Sequence, residues 1–96
     1  RHANTDMLAA KAAQMKLAAS LNKSISPDIQ TEISKFVERV GYVSPSSSAA
    51  ANMQENMLSS SIDRIMSLVN SNASIDQLLS ELENAKTILS QRLRTY

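Results

Sequence analysis

Residues 71–96, SNASIDQLLSELENAKTILSQRLRTY, decide the fold class of this chain. Ser74 and Gln77 match the S-x-x-Q capping box that begins many helices. Asp76 lies in the first turn and two arginines lie near the end, where the helix dipole favours negative and positive charge respectively. The pattern therefore predicts a helix over residues 75–95.

This helix carries one apolar stripe, which needs a surface to pack against. The stripe comprises Ile75, Leu78, Leu79, Leu82, Ala85, Leu89, Leu93 and Tyr96. In the preceding segment apolar residues are spaced by four, three and four, as in a coiled-coil seam. Because residues 70–74 allow only a tight turn, we expect an antiparallel helical hairpin. The predicted core of this hairpin is Leu58, Ile62, Ile65, Val69, Leu78, Leu82, Leu89 and Leu93.

Three further helices are predicted, over residues 4–22, 27–40 and 47–69. Ser26 is a good N-cap and Pro27 suits the first helical position, so the second helix has a well-defined start. Gly41 is expected to end that helix in a left-handed conformation. Pro45 disfavours helix immediately before it, which predicts a serine-rich loop ahead of the third helix.

Composition supports an all-α fold. The 96 residues include one Gly and two Pro, too few for a chain built on tight β-turns, and 43% are apolar. This length suits one domain with one core. We therefore expect residues 1–96 to form a single helical domain, a small bundle of about four helices.

Residues for catalysis or metal binding are scarce. Cysteine is absent, and His2 is the single histidine, so we expect neither a metal site nor a serine activated by a base. Asp76, Glu81 and Glu83 fall on the polar side of the last helix, which is typical of a solvated face. We expect no enzymatic activity and no cofactor.

Nucleic-acid binding is one alternative, since basic residues concentrate near the two ends of the chain. The candidates are Lys11, Lys16, Lys23, Arg92 and Arg94. They form no regular basic stripe, and no aromatic residue lies among the N-terminal ones to stack on a base. The net charge is only +1, so this alternative is the less favoured one.

Surplus apolar surface favours a protein partner instead. The first helix places Leu17 and Leu21 opposite its other apolar face, and the third helix has a second arc of Met53, Met57 and Leu68. These five residues are our interface candidates. The leading hypothesis is a helical interaction or self-association module, bound to another protein or, most simply, to a second copy related by a two-fold axis in a homodimer. The bias toward Ser, Asn, Gln and Ala leaves a secreted or assembly-forming helical subunit as a further alternative.

No apolar run approaches the length of a membrane span, and the first ten residues do not resemble a signal peptide. We therefore expect a soluble protein. The sequence does not identify its compartment, although an intracellular location is the favoured one.

Overall fold

The computed structural model describes residues 3–95, which form four α-helices and no strand. The helices are α1 (Ala3–Ser20), α2 (Pro27–Val40), α3 (Ala49–Asn70) and α4 (Ile75–Leu93). The predicted all-α class is confirmed. The bounds of α2 and the start of α4 agree with the prediction, and the other helix ends differ from it by one or two residues. His2 and Tyr96 lie outside the described residues.

A serine begins each of the last three helices. Ser26, Ser48 and Ser74 are N-caps, and each side-chain oxygen accepts a hydrogen bond from the backbone N–H three residues further on. The Ser74 backbone N–H in turn donates to the Gln77 side-chain oxygen, so the predicted capping box is confirmed. These bonds satisfy donors that the first turn of a helix leaves without partners.

The predicted left-handed conformation of Gly41 is wrong. Its φ is −64° and its ψ is −16°, which is right-handed. The chain leaves α2 through a tightened turn, in which the N–H groups of Tyr42 and Val43 bond to carbonyls three residues earlier. Such a turn continues the helical direction and needs no positive φ. Among the described residues, the positive φ belongs to Asn72 (54°) in the turn between α3 and α4.

The helices form a ring in the order α1, α2, α4, α3, within which each helix packs on its two neighbours. Hydrogen bonds show that α1 and α3 run parallel: Lys11 bonds to Asp63 near the middle of both, and Asn22 bonds to the Val69 carbonyl at their ends. Because α2 and α3 are diagonal to one another, the connection over residues 41–48 crosses one end of the bundle.

Buried apolar side chains from all four helices form one cluster. The α1 contribution is Leu8, Ala12, Met15 and Ala19, the α2 contribution is Ile33, Phe36 and Val40, and α3 and α4 supply most of the remainder. Of the predicted hairpin core, seven residues are buried and Leu93 is not, being 37% exposed. The buried face of α4 continues from Leu89 to Arg92 rather than to Leu93. A step of three residues from Leu89 places the side chain closer to the centre of this face than a step of four does.

Candidate interaction surface

Helix α1 presents a second face that no part of the described chain covers. We call Met7, Ala10, Gln14, Leu17 and Leu21 the outer stripe; all five are exposed. Their spacing of three, four, three and four places the first four in one row along α1. Leu21, in the turn directly after Ser20, continues this row, since its N–H bonds to the Leu17 carbonyl. Leu17 is 63% exposed and Leu21 is 76% exposed. The structure thus leaves these two predicted interface residues at the surface, with an uncharged row of side chains around them.

The other face of α1 is firmly held, so the outer stripe has a rigid support. Leu8, Ala12, Met15 and Ala19 are each 0% exposed. The Lys11 ammonium donates to the Ser59 hydroxyl at 2.9 Å and to the Asp63 carboxylate at 2.8 Å. Fixing a helix before it binds lowers the entropic cost of association.

The second arc of α3, formed by Met53, Met57 and Leu68, lies on another side of the bundle, along the outer surface between α3 and α4. Two adjoining depressions there share Arg64, and together we call them the α3/α4 groove. Met53, Met57 and the buried Ile88 line its first part, while Leu68 lines its second. Met53 and Met57 are 60% and 45% exposed, and Leu68 is half-buried. The five interface candidates therefore form two separate surfaces.

A carboxylate occupies the middle of the groove, where only a solvated side chain was predicted. Glu81 accepts hydrogen bonds from Ser61 at 2.6 Å, Asn84 at 2.9 Å and Arg64 at 3.1 Å, and its side chain is 17% exposed. Burial raises the pKa of Glu81, but the three hydrogen bonds outweigh that effect and hold it below its ordinary value of 4.5. The prediction of a solvated face is wrong for Glu81 because the buried Ser61 of α3 lies within its reach.

Because the folded protein holds Glu81 ionised, stability should fall in acid. A lowered folded-state pKa contributes stability above the unfolded-state pKa and loses it as the pH falls through the folded-state value. We expect wild type to exceed Glu81→Gln in stability at pH 7, and this difference to shrink steadily below about pH 4.5. Urea unfolding between pH 7 and 3 measures it. Glu38→Gln, at an exposed position, is the control, and a difference that does not change with pH would contradict the assignment.

A buried ion pair lies near the end of the bundle where α3 begins and α4 ends. The Arg92 Nε donates to the Glu55 carboxylate at 2.8 Å, and their side chains are 3% and 2% exposed. Arg92 also donates to the backbone carbonyls of Ser44 and Thr95. The pair therefore ties the crossing connection to α3 and α4.

The sequence contained a signal for this pair that the apolar stripes alone did not reveal. Glu55 lies four residues after Ala51 and three before Leu58, within the buried row of α3. Arg92 continues the buried row of α4, three residues after Leu89. Opposite charges in two core rows of one hairpin indicate a buried pair, because a charge taken out of water needs a partner.

Lys86 differs from expectation as well. Its position in the apolar stripe predicts methylenes packed on the stripe and an ammonium in water. The ammonium instead pairs with Glu32 of α2 and, at 3.1 Å, with Glu83. The hydrogen bond to Glu32 raises the pKa of Lys86 above its ordinary value, although burial opposes this. Lys86 is thus a cross-link between α4 and α2.

The basic candidates for nucleic-acid binding do not come together. Lys11 is paired with Asp63 and Arg92 is buried. Lys16 and Lys23 are exposed on the α1 side of the bundle, whereas Arg94 follows α4 at the opposite end from Lys23. Arg92 therefore cannot reach a phosphate, and the remaining three do not form one basic face.

Metal-ligating side chains do not converge either: within residues 3–95 no group of three or more His, Asp or Glu could hold an ion. No helix in this range is long and apolar enough to cross a bilayer.

Comparison with protein-family models, curated proteins and solved structures gives no match for this chain. Its own surface is therefore the basis for a functional proposal.

Proposed function

We propose that this chain is a non-enzymatic helical module that associates with other protein surfaces, in the first place with further copies of itself, through the outer stripe of α1. The observation that carries this proposal is the exposure of Leu17 and Leu21, at 63% and 76%, on a helix whose opposite face already fills the core. The fold does not need these two leucines, so another surface is the natural place for their burial.

The energetic argument is direct. Fully burying a leucine side chain contributes about 1.5–3 kcal/mol, and the rigid backbone of α1 limits the entropy lost on binding. Ala10 lies within the stripe, Ala13 lies beside it, and both are exposed. Small side chains of this kind allow a second helix to approach closely. A neutral row flanked by alanines therefore suits helix–helix docking better than contact with a charged ligand.

The absence of catalysis belongs to the same proposal. Residues 3–95 contain neither histidine nor cysteine, so no serine in this range has an imidazole beside it to act as a base. The two least exposed carboxylates among the ion pairs are Glu55, which is bonded to Arg92, and Glu81, which is bonded to Ser61, Asn84 and Arg64. Their lone pairs serve structural hydrogen bonds within the bundle.

Charge on the outer stripe should abolish association and leave the fold intact. For wild type, sedimentation or light scattering from about 1 µM to about 1 mM should give a mass that rises with concentration. Leu17→Glu combined with Leu21→Glu should remain at the mass of one chain with unchanged helicity, because both positions are exposed and an unpaired charge is costly to bury in an apolar contact.

The control adds the same charge elsewhere. Ala9→Glu with Thr31→Glu changes two exposed positions outside the stripe and should associate like wild type. A wild-type chain that stays monomeric throughout this range would overturn the proposal of self-association. Loss of helicity in the leucine variant would show that the two leucines belong to the fold.

A further inference from the structure

The area of the outer stripe constrains what can cover it. Helix α1 has 18 residues and is therefore about 27 Å long and about 10 Å wide. A flat contact with one other helix would cover roughly 270 Å² of each partner, well below the roughly 800 Å² of a stable interface. A groove between two helices covers both flanks of an inserted helix. A concave partner therefore fits the stripe better than a second copy of the stripe itself.

The chain carries such a groove on another face. The α3/α4 groove runs from Ala49 to Leu68 along α3, a length of about 28 Å, and α1 is about as long. Its apolar side chains are at its two ends, with Met53 about 22 Å from Leu68 along the helix. In the outer stripe Met7 and Leu21 are about 21 Å apart. The two surfaces thus match in length and in the positions of their apolar ends.

The polar parts of the two surfaces match as well. Ser60, Arg64 and Asn84 line the middle of the groove, and Gln14 is the polar residue in the middle of the outer stripe. An amide side chain both donates and accepts hydrogen bonds, so it suits a floor that offers a guanidinium, a hydroxyl and another amide. Arg64 and Asn84 each donate one hydrogen bond to Glu81 and have further donors, and a leucine at this position would offer those donors and the Ser60 hydroxyl no partner in the contact.

Charges at the ends select one direction. Asp6, Lys23 and Asp76 are exposed and have no ion-pair partner within residues 3–95. Asp76 lies at the Leu68 end of the groove, and Lys23 follows the Leu21 end of the stripe. The N-terminus of α3, where the dipole is positive, is at the Met53 end, and Asp6 adjoins Met7. Opposite charges therefore meet when the inserted α1 runs parallel to α3.

Resting on the proposed function, the geometry points to a second copy of this chain as the occupant of the α3/α4 groove, inserted through its outer stripe. This contact joins two different surfaces of the molecule, so it is heterologous, and a dimer formed through it still has one free groove on one chain and one free stripe on the other. Association then continues beyond the dimer, to a ring or an open chain, in place of the two-fold dimer that the sequence suggested as the simplest arrangement.

Complementation between two disabled variants tests this arrangement. The stripe variant is Leu17→Glu with Leu21→Glu, and the groove variant is Met53→Glu with Met57→Glu. Each should lower the association constant at least about 100-fold, because it places unpaired charge in the contact, and each should sediment as one chain. Mixed in equal amounts, they should form a species of twice that mass and no larger, since only one intact stripe and one intact groove remain between them.

The possible results separate the two proposals. If the groove variant associates like wild type while the stripe variant does not, the stripe is an interface but the groove is not its partner, and this inference is overturned while the proposed function stands. If the mixture stays monomeric, the inference also fails. A wild-type chain that never associates overturns both. Met53→Lys with Met57→Lys should associate as weakly as the glutamate variant, which would show that the loss does not depend on the sign of the added charge. Helicity should be unchanged in all of these variants.

The direction of insertion has its own readout in the same mixture. Asp76→Lys in the stripe variant, which supplies the groove, should weaken the mixed dimer about 2- to 5-fold, as expected for an exposed ion pair. Lys23→Glu in the groove variant, which supplies the stripe, should restore the affinity. Independent, additive effects of the two changes would overturn the parallel arrangement.

Discussion

Glu55→Ala should destabilise the protein by about 3–5 kcal/mol, the cost of removing one member of a buried ion pair. The Arg92 guanidinium would keep its bonds to the Ser44 and Thr95 carbonyls but lose the only carboxylate that the described residues place beside it. Its charge would then stay buried without compensation. For a domain of this size such a loss is a large share of the total stability.

Urea unfolding followed by circular dichroism measures this effect, with Glu38→Ala as the matched control. Glu38 is exposed on α2, so its removal should change stability by no more than about 0.5 kcal/mol. Glu55→Met combined with Arg92→Met should recover much of the loss, since apolar replacements of a buried pair are often neutral or stabilising. A loss below about 1 kcal/mol for Glu55→Ala would show that Arg92 escapes to solvent without its partner.

Leu82→Ala should cost about 2–5 kcal/mol, because truncating a buried leucine removes its burial energy and leaves a cavity. Leu82 is 1% exposed in the middle of the buried face of α4. Its neighbour Glu83 has a side chain that is 73% exposed, and Glu83→Ala should remain within about 0.5 kcal/mol. Comparable losses for the two variants, measured by the same urea titration, would mean that the buried face of α4 is assigned incorrectly.

The sequence alone determined the elements of this protein and the faces they bury. Serine N-caps, the proline after Ser26 and the capping box at Ser74 act within a few residues, so local pattern is sufficient to place the starts of helices. The two faces of α1 were also predictable, because a period of 3.6 residues separates Leu8 and Met15 from Leu17 and Leu21 whatever packs against them.

Local pattern was less informative where the outcome depends on a distant side chain. Glu81 and Lys86 were each placed correctly on α4, yet their surroundings come from Ser61 of α3 and Glu32 of α2. Helix periodicity gives the direction in which a side chain points but not the identity of the group it meets. For that reason the sequence predicted solvent where the structure has hydrogen bonds.

Tertiary structure alone decided which surplus apolar surfaces remain free and how the bundle is closed. The ring order leaves Met53 and Met57 in a groove and Leu17 on another side of the molecule, so the two candidate surfaces do not adjoin. The same ring order sends residues 41–48 across the end of the bundle, where Arg92 binds the Ser44 carbonyl. Helix periodicity holds no information about which helices become neighbours, because that choice depends on how all four apolar faces are buried together.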